Sequence, residues 1–197
     1  MFGLLRTTIL SLALAFGAGA ALAQDFQKGF AAYTEGDYAT ALKEWRPLAE
    51  QGDARGQYNL GVYYADGKGV PKNDKAALNW YTLAAEQGLM EAQFNLGWMD
   101  YIGQGSSQNY AIAFKWFTLS AEQGNTHAQY NLGLMHFNGQ AVLQSYEIAI
   151  KWFTLATDQG HNGAQLAMGK MYAKGLGVTQ NNETAIKWYT LAGFWDE

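Results

Sequence analysis

Gln57–Gly61 reads QYNLG, Gln93–Gly97 reads QFNLG and Gln129–Gly133 reads QYNLG again, each copy starting 36 residues after the last. At this period the chain falls into four registers, beginning at Asp53, Leu89, Asn125 and His161. One column holds Leu60, Leu96, Leu132 and Met168, and the next holds Gly61, Gly97, Gly133 and Gly169. Later columns hold Gly67, Gly103, Gly139 and Gly175, then Ala77, Ala113, Ala149 and Ala185. Trp80, Trp116, Trp152 and Trp188 follow, each with Tyr or Phe after it. Self-similarity at such a period marks a solenoid, in which each supersecondary unit buries its apolar face only by stacking on neighbours.

Within a unit, Gly56, Leu60, Tyr63 and Tyr64 recur at helical spacing, which predicts a first helix (helix A) over about Ala54–Ala65. Gly67 stands where a left-handed C-cap belongs. A loop follows, and then a column of Asn73, Asn109, Ser145 and Asn181, all able to accept from free first-turn amides. This column predicts the start of a second helix (helix B), whose apolar face is Ala77, Trp80, Tyr81, Ala84 and Ala85. Gly61 and its equivalents lie inside helix A, where glycine costs about 1 kcal/mol relative to alanine. Four repetitions of that cost imply close approach by a bulky group, and the tryptophan and alanine columns of helix B are the expected partners. The tryptophans themselves are expected to be core.

Upstream, residues 24–52 form a leading unit, of which Asp25–Gly52 span 28 residues with a short link, Glu35–Asp37. Its second helix, ALKEWRPLAEQG, matches ALNWYTLAAEQG of the next unit. Pro47 lies inside it and should bend it. Met1–Ala23 has one basic residue, Arg6, an apolar run Ile9–Phe16, a glycine break and Ala21-Leu22-Ala23, the layout of a secretory signal peptide cleaved after Ala23. The alternative is a retained anchor. Cleavage would leave 12 Lys and Arg against 17 Asp and Glu, a formal charge of −5. An acidic chain without a basic cluster cannot neutralise phosphates, so no nucleic-acid partner is expected. There is no cysteine, which excludes disulfides, thiol chemistry and a lipid-modified cysteine. Periplasmic or secreted localisation is expected, with no stable membrane insertion after cleavage.

These columns resemble the Sel-1-like repeat family, a relative of the tetratricopeptide repeats. The resemblance rests on GQYNLGVYYADGKGV (56–70) followed by ALNWYTLAAEQG (77–88), and extends over about Tyr33–Ala192. It implies an all-α fold, a right-handed αα-superhelix of about five antiparallel helix pairs. It further implies that helix A lines the concave side, that the array is an interaction scaffold, and that the protein is exported. There are departures. The tyrosine present as Tyr64 and Tyr172 is Asp100 and His136 in the middle repeats, and the loop GKGV becomes GQGS and GQAV there. The last repeat ends TLAGFWDE instead of AEQG.

Catalytic spacing is missing. His127, His136 and His161 form no H-x-x-x-H or mixed cluster at ligand spacing, so no metal is expected and the histidines read as surface or packing residues. Gly67–Gly69 lacks the phosphate-loop frame, and Gly103–Ser107 lacks the nucleophile-elbow frame. No catalytic residue and no cofactor are expected. A cell-envelope hydrolase acting on peptidoglycan or β-lactams is the alternative, by analogy with cysteine-rich exported members of the family, whose cysteines this chain lacks.

A surface remains. The side of helix A opposite its core columns carries Arg55, Glu91 and His127 in one column, Asn59, Asn95 and Asn131 in another, and Trp98 among Val62 and Leu134 in a third. Asn59, Asn95, Asn131, Trp98, Arg55 and Glu91 are therefore the candidate partner-binding residues. The asparagines suit either a bound peptide backbone or bonding between repeats. Trp98 suits either a groove anchor or burial against the next helix. The expected partner is a protein or peptide. Phe194 and Trp195 at the last repeat are candidates for self-association into a homo-oligomer.

Overall fold

The computed structural model describes residues 25–194, so the leader with its cleavage point after Ala23, and Trp195, lie outside the described residues. The described residues fall into two compact units, 25–84 and 85–194. All regular structure described is helical. The helices are α1 (25–34), α2 (Tyr38–Glu50), α3 (Ala54–Asp66), α4 (Asp74–Glu86), α5 (Met90–Ile102) and α6 (Tyr110–Glu122). They continue as α7 (Thr126–Asn138), α8 (Tyr146–Thr157), α9 (Asn162–Lys174) and α10 (Asn182–Leu191). In the first unit α2 packs on α3; in the second, α5 with α6, α7 with α8 and α9 with α10 form the helix pairs of three repeats, joined by packing of α6 on α7 and α8 on α9.

The caps explain the boundaries. Asn109 Oδ1 accepts from the Ala111 and Ile112 amides, and Asn73, Ser145 and Asn181 each accept from an amide three residues on. At the other end, Gly67, Gly103, Gly139 and Gly175 close the A helices in the left-handed conformation, with φ from 67° to 74°. The amide of the capping residue also ties back to helix A, as Asn109 N donates to Asp100 O at 2.8 Å and Ser145 N to His136 O at 3.0 Å. That tie uses only the backbone of the Tyr64, Asp100, His136 and Tyr172 column, which is why three different side chains there leave the turn intact.

The glycine inside helix A is explained by a ring, though not the one expected from sequence. A Cβ at Gly61 would come within 2.5 Å of the Tyr81 ring, and one at Gly97 within 2.9 Å of Phe117. Gly133 meets Phe153, Gly169 meets Tyr189, and in the leading pair Gly29 meets Trp45. In the four 36-residue repeats the partner is the residue after the tryptophan, whose ring points at helix A and is buried in Tyr81, Phe117 and Phe153 and half-buried in Tyr189, and in the leading pair Trp45 itself takes that place. The tryptophans preceding those four rings are only half-buried. Trp152 packs against the cluster of Ala113, Phe117, Ala121, Ala128, Leu132 and Met135, and Trp188 against the next such cluster, so they seal one repeat against another. Fully burying a side chain such as Leu132 or Phe153 contributes about 1.5–3 kcal/mol. Among the described residues no helix is long and apolar enough to cross a membrane.

Candidate functional site

The A helices of the second unit carry an aromatic cleft of about 520 Å³. Helix α5 supplies Phe94, Trp98 and Tyr101. Helix α7 supplies His127, Tyr130, Asn131 and Leu134, and His161, the N-cap of α9, closes one end. The registers that deliver these residues repeat the 36-residue period: Phe94 and Tyr130 are equivalent, as are Trp98 and Leu134. The rings are in mutual contact. Trp98 stacks on Tyr101 with centroids 5.8 Å apart, His161 stacks on Tyr130 at 4.5 Å, and Phe94 lies 5.7 Å from His127. Tyr101 Oη donates to Gln140 Oε1 at 3.1 Å, which fixes that ring at the wall.

Trp98 is 41% exposed, so its ring faces the cleft and is not buried against the following helix. Asn131 lines the same cleft but is nearly buried, and its Nδ2 donates to His127 O within α7 at 2.8 Å. Its amide is thus engaged neither by another repeat nor fully by solvent, because the i−4 carbonyl of its own helix lies in reach. Asn59 lines a separate cavity of about 190 Å³ in the first unit, with Tyr58, Val62 and Tyr63 of its own helix. Burial pushes the Tyr63 hydroxyl up to about 12, and its oxygen has no hydrogen-bond partner among the described residues. Asn95 is half-buried on α5 and is not among the residues lining either cavity. Arg55 pairs with Asp53 at 3.1 Å and lies over the Phe26 ring, and Glu91 is exposed in the first turn of α5. Phe194 is exposed and lies 6.1 Å from the Tyr189 ring.

The histidines have two environments. His136 is buried, lies edge-on to Phe114, and has Nδ1 unpartnered among the described residues. Burial holds its pKa below the ordinary value. His161 accepts from the Ala164 amide through Nδ1 at 3.1 Å, and its Nε2 lies 3.2 Å from His127 Nδ1. Burial and the neighbouring His127 keep its pKa low as well. Burial raises the Tyr130 hydroxyl, with a further push from Tyr101. Among the described residues no group of three or more His, Cys, Asp or Glu is placed to hold a metal ion.

The residues that sequence reasoning missed are Phe94 and Tyr130, which stand in the quoted motif itself, between its glutamine and its asparagine. Their signal was an aromatic at a constant place in three repeats, Tyr58 being the first. Helical spacing placed that column away from the core, and an aromatic away from the core is a wall. His161 was not legible as a cleft residue, because as a helix cap it reaches the site from another helix.

Sequential helix pairs with one shared set of caps and contacts define a helical-repeat protein. The Sel1 repeat profile matches residues 54–89, 91–125, 126–161 and 163–193, and the chain belongs to the Sel1 repeat family. It is similar to a protective antigen of uropathogenic Escherichia coli displaying an SLR fold, at 35% identity and a TM-score of 0.84, covering 92% of this chain and 40% of that one. It therefore spans two fifths of that antigen's length. It is also similar to a Sel1 repeat protein of Oxalobacter formigenes, at 32% identity and a TM-score of 0.81, covering 86% of this chain and 67% of that one. An immunity protein of Pseudomonas aeruginosa shares the fold at 19% identity and a TM-score of 0.54, covering 84% and 64%. A search of curated proteins returned no match.

Proposed function

We propose that this protein is a non-catalytic scaffold that binds a partner protein or peptide on the face formed by its A helices, and that its leader directs it to the periplasm or outside the cell. The observation that carries the reading is the aromatic cleft with its exposed Trp98. A solvated tryptophan ring beside further rings gains by being covered, and tryptophan is a common anchor of protein interfaces. Membership of a repeat family supports the same use, since stacked repeats present extended faces to partners.

The test is a cross-linking pull-down of the chain from its native host, with wild type beside a Trp98→Ala variant that melts normally. A specific protein recovered with wild type and depleted with the variant supports the reading. Equal recovery from both moves binding off this face, and no specific protein from either overturns the scaffold reading.

A second reading is supported by the exposure of Ile186, Leu191 and Phe194 on and after α10. Self-association would cover these exposed apolar side chains. A monomeric mass by light scattering, unchanged in Phe194→Ser, would overturn it.

A further inference from the structure

The cleft holds polar groups whose hydrogen-bond directions are fixed by a relay. The Ala164 amide donates to His161 Nδ1, so that nitrogen keeps its lone pair and the neutral ring carries its proton on Nε2. This Nε2–H faces His127 Nδ1 at 3.2 Å and donates to it. His127 therefore carries its own proton on Nε2, on an exposed ring that lines the cleft. The relay ends in one free N–H donor.

Asn131 stands one turn along α7 from His127, on the same face. Its Nδ2 is held by His127 O, which fixes the amide plane and leaves Oδ1 as an acceptor. Beside the Tyr101 and Tyr130 hydroxyls, the cleft thus offers the His127 donor and the Asn131 acceptor among aromatic walls, and no Asp, Glu, Lys or Arg is among the described residues that line it. A proton added to His161 Nδ1 turns that acceptor into a donor and breaks its bond from the Ala164 amide. A metal ion between the rings would need the lone pair of His161 Nε2, which would force a proton onto Nδ1 against the Ala164 amide.

We propose that the cleft binds one uncharged peptide unit together with the aromatic side chain it carries. The peptide carbonyl accepts from His127 Nε2–H, the peptide N–H donates to Asn131 Oδ1, and the side chain inserts among Phe94, Trp98, Tyr101 and Tyr130. This rests on the partner-binding reading above and names what that partner presents. A peptide group has one donor and one acceptor, which matches the His127 Nε2–H and the Asn131 Oδ1. The volume lies within the range of about 300–1,000 Å³ typical of ligand pockets. Ring faces at the wall favour an aromatic occupant over an aliphatic one by offset stacking. A carboxylate would lose its hydration here without a counter-charge, so neutrality is part of the match.

The probe is N-acetyl-tryptophanamide, titrated into the full chain at neutral pH and followed by NMR at the His127 ring and the Trp98 indole. N-acetyl-tryptophan, N-acetyl-leucinamide and choline are titrated in parallel. The expected result is saturable binding of the first probe, weaker by roughly tenfold for each of the other three and in Trp98→Ala. His127→Phe keeps a ring but loses the donor, and is expected to weaken binding by a similar factor. Both positions are exposed, so folding of the variants is checked independently by their melting. Absence of saturation, or equal or tighter binding of leucinamide, choline or the anionic probe, overturns the inference. Capture of a Trp98-dependent protein partner alongside such a result would leave the scaffold reading standing and this inference refuted.

Discussion

Gln159 Nε2 donates to Gln129 Oε1 over 2.9 Å, and the same Nε2 reaches Gly124 O at 3.2 Å. Gln129 is buried and in turn donates to Ala121 O, at the end of the preceding B helix. Gln123 and Gln93 repeat the pattern, with Gln93 donating to Ala85 O. The first letter of the quoted motif is therefore a buried amide that joins three chain segments. In the last repeat Gln165 Oε1 has no hydrogen-bond partner among the described residues, and the position equivalent to Gln159 is Trp195.

Gln129→Leu removes two hydrogen bonds, the one to Ala121 O and the one from Gln159 Nε2, while Gly124 N still donates to Ala121 O and Gln159 Nε2 still reaches Gly124 O, and each hydrogen bond so lost costs about 0.5–1.5 kcal/mol. The expected loss is of that size, read as a shift in the denaturant midpoint. Gln165→Leu removes an amide whose Oε1 has no partner among the described residues and is expected to cost clearly less. Equal losses at the two positions would contradict the bridging role.

Gly133→Ala sets two effects against each other. Alanine gains about 1 kcal/mol of helix propensity, while a Cβ driven into the Phe153 ring costs about 1–3 kcal/mol in a packed core. Net destabilisation is expected because Phe153 is fully buried and has nowhere to go. Combining Gly133→Ala with Phe153→Leu should cost less than the sum of the two single changes, which a double-mutant cycle would measure.

Ala141 occupies the left-handed region at φ 61°, where Gly69, Gly105 and Gly177 stand in the other repeats. For an L-residue that conformation costs about 1–2 kcal/mol, and glycine avoids it while adding roughly 0.5–1 kcal/mol of unfolded-state entropy. Ala141→Gly is expected to stabilise by about 0.5–1 kcal/mol, seen as a raised melting temperature. No change or a fall would show that the loop is not strained.

The buried histidines set an acid dependence. Both His136 and His161 have folded pKa values below the ordinary 6.5, so in that window the unfolded chain binds more protons. Their contribution to stability is complete above 6.5 and is lost as pH falls through the folded values. His136→Tyr, which restores the residue of the first and last repeats, should flatten the melting temperature between neutral and mildly acidic pH. Asp100 acts with the opposite sign. Burial raises its pKa although Ser106 opposes this, so stability falls as pH rises from 3.8 through the folded value. Asp100→Asn is expected to raise the melting temperature at neutral pH.

The quoted motif shows what could be read from sequence. Its leucine and glycine marked the helix A core and a close contact, and the Asn73, Asn109, Ser145 and Asn181 column marked the start of helix B. These are local or periodic demands, fixed by 3.6-residue spacing, free first-turn amides and the steric cost of a Cβ. The helices, their caps and the repeat architecture follow from them. Which ring meets the glycine was not legible, since Trp116 and Phe117 are adjacent in sequence and only the packing angle of the two helices selects the second.

The cleft divides in the same way. Trp98 and Asn131 were legible as members of the same face of helix A in successive repeats, because that face recurs with the 36-residue period. His161 was not, because it reaches the cleft from the start of α9, 34 residues after His127. The direction of the Asn131 amide depended on a carbonyl of its own helix, and the protonation of His127 depends on the Ala164 amide through another ring. Sequence alone set the helices and the repeat, whose causes act within a few residues. Only the tertiary structure decided the cleft, because its hydrogen-bond directions and ring contacts arise where separate helices meet.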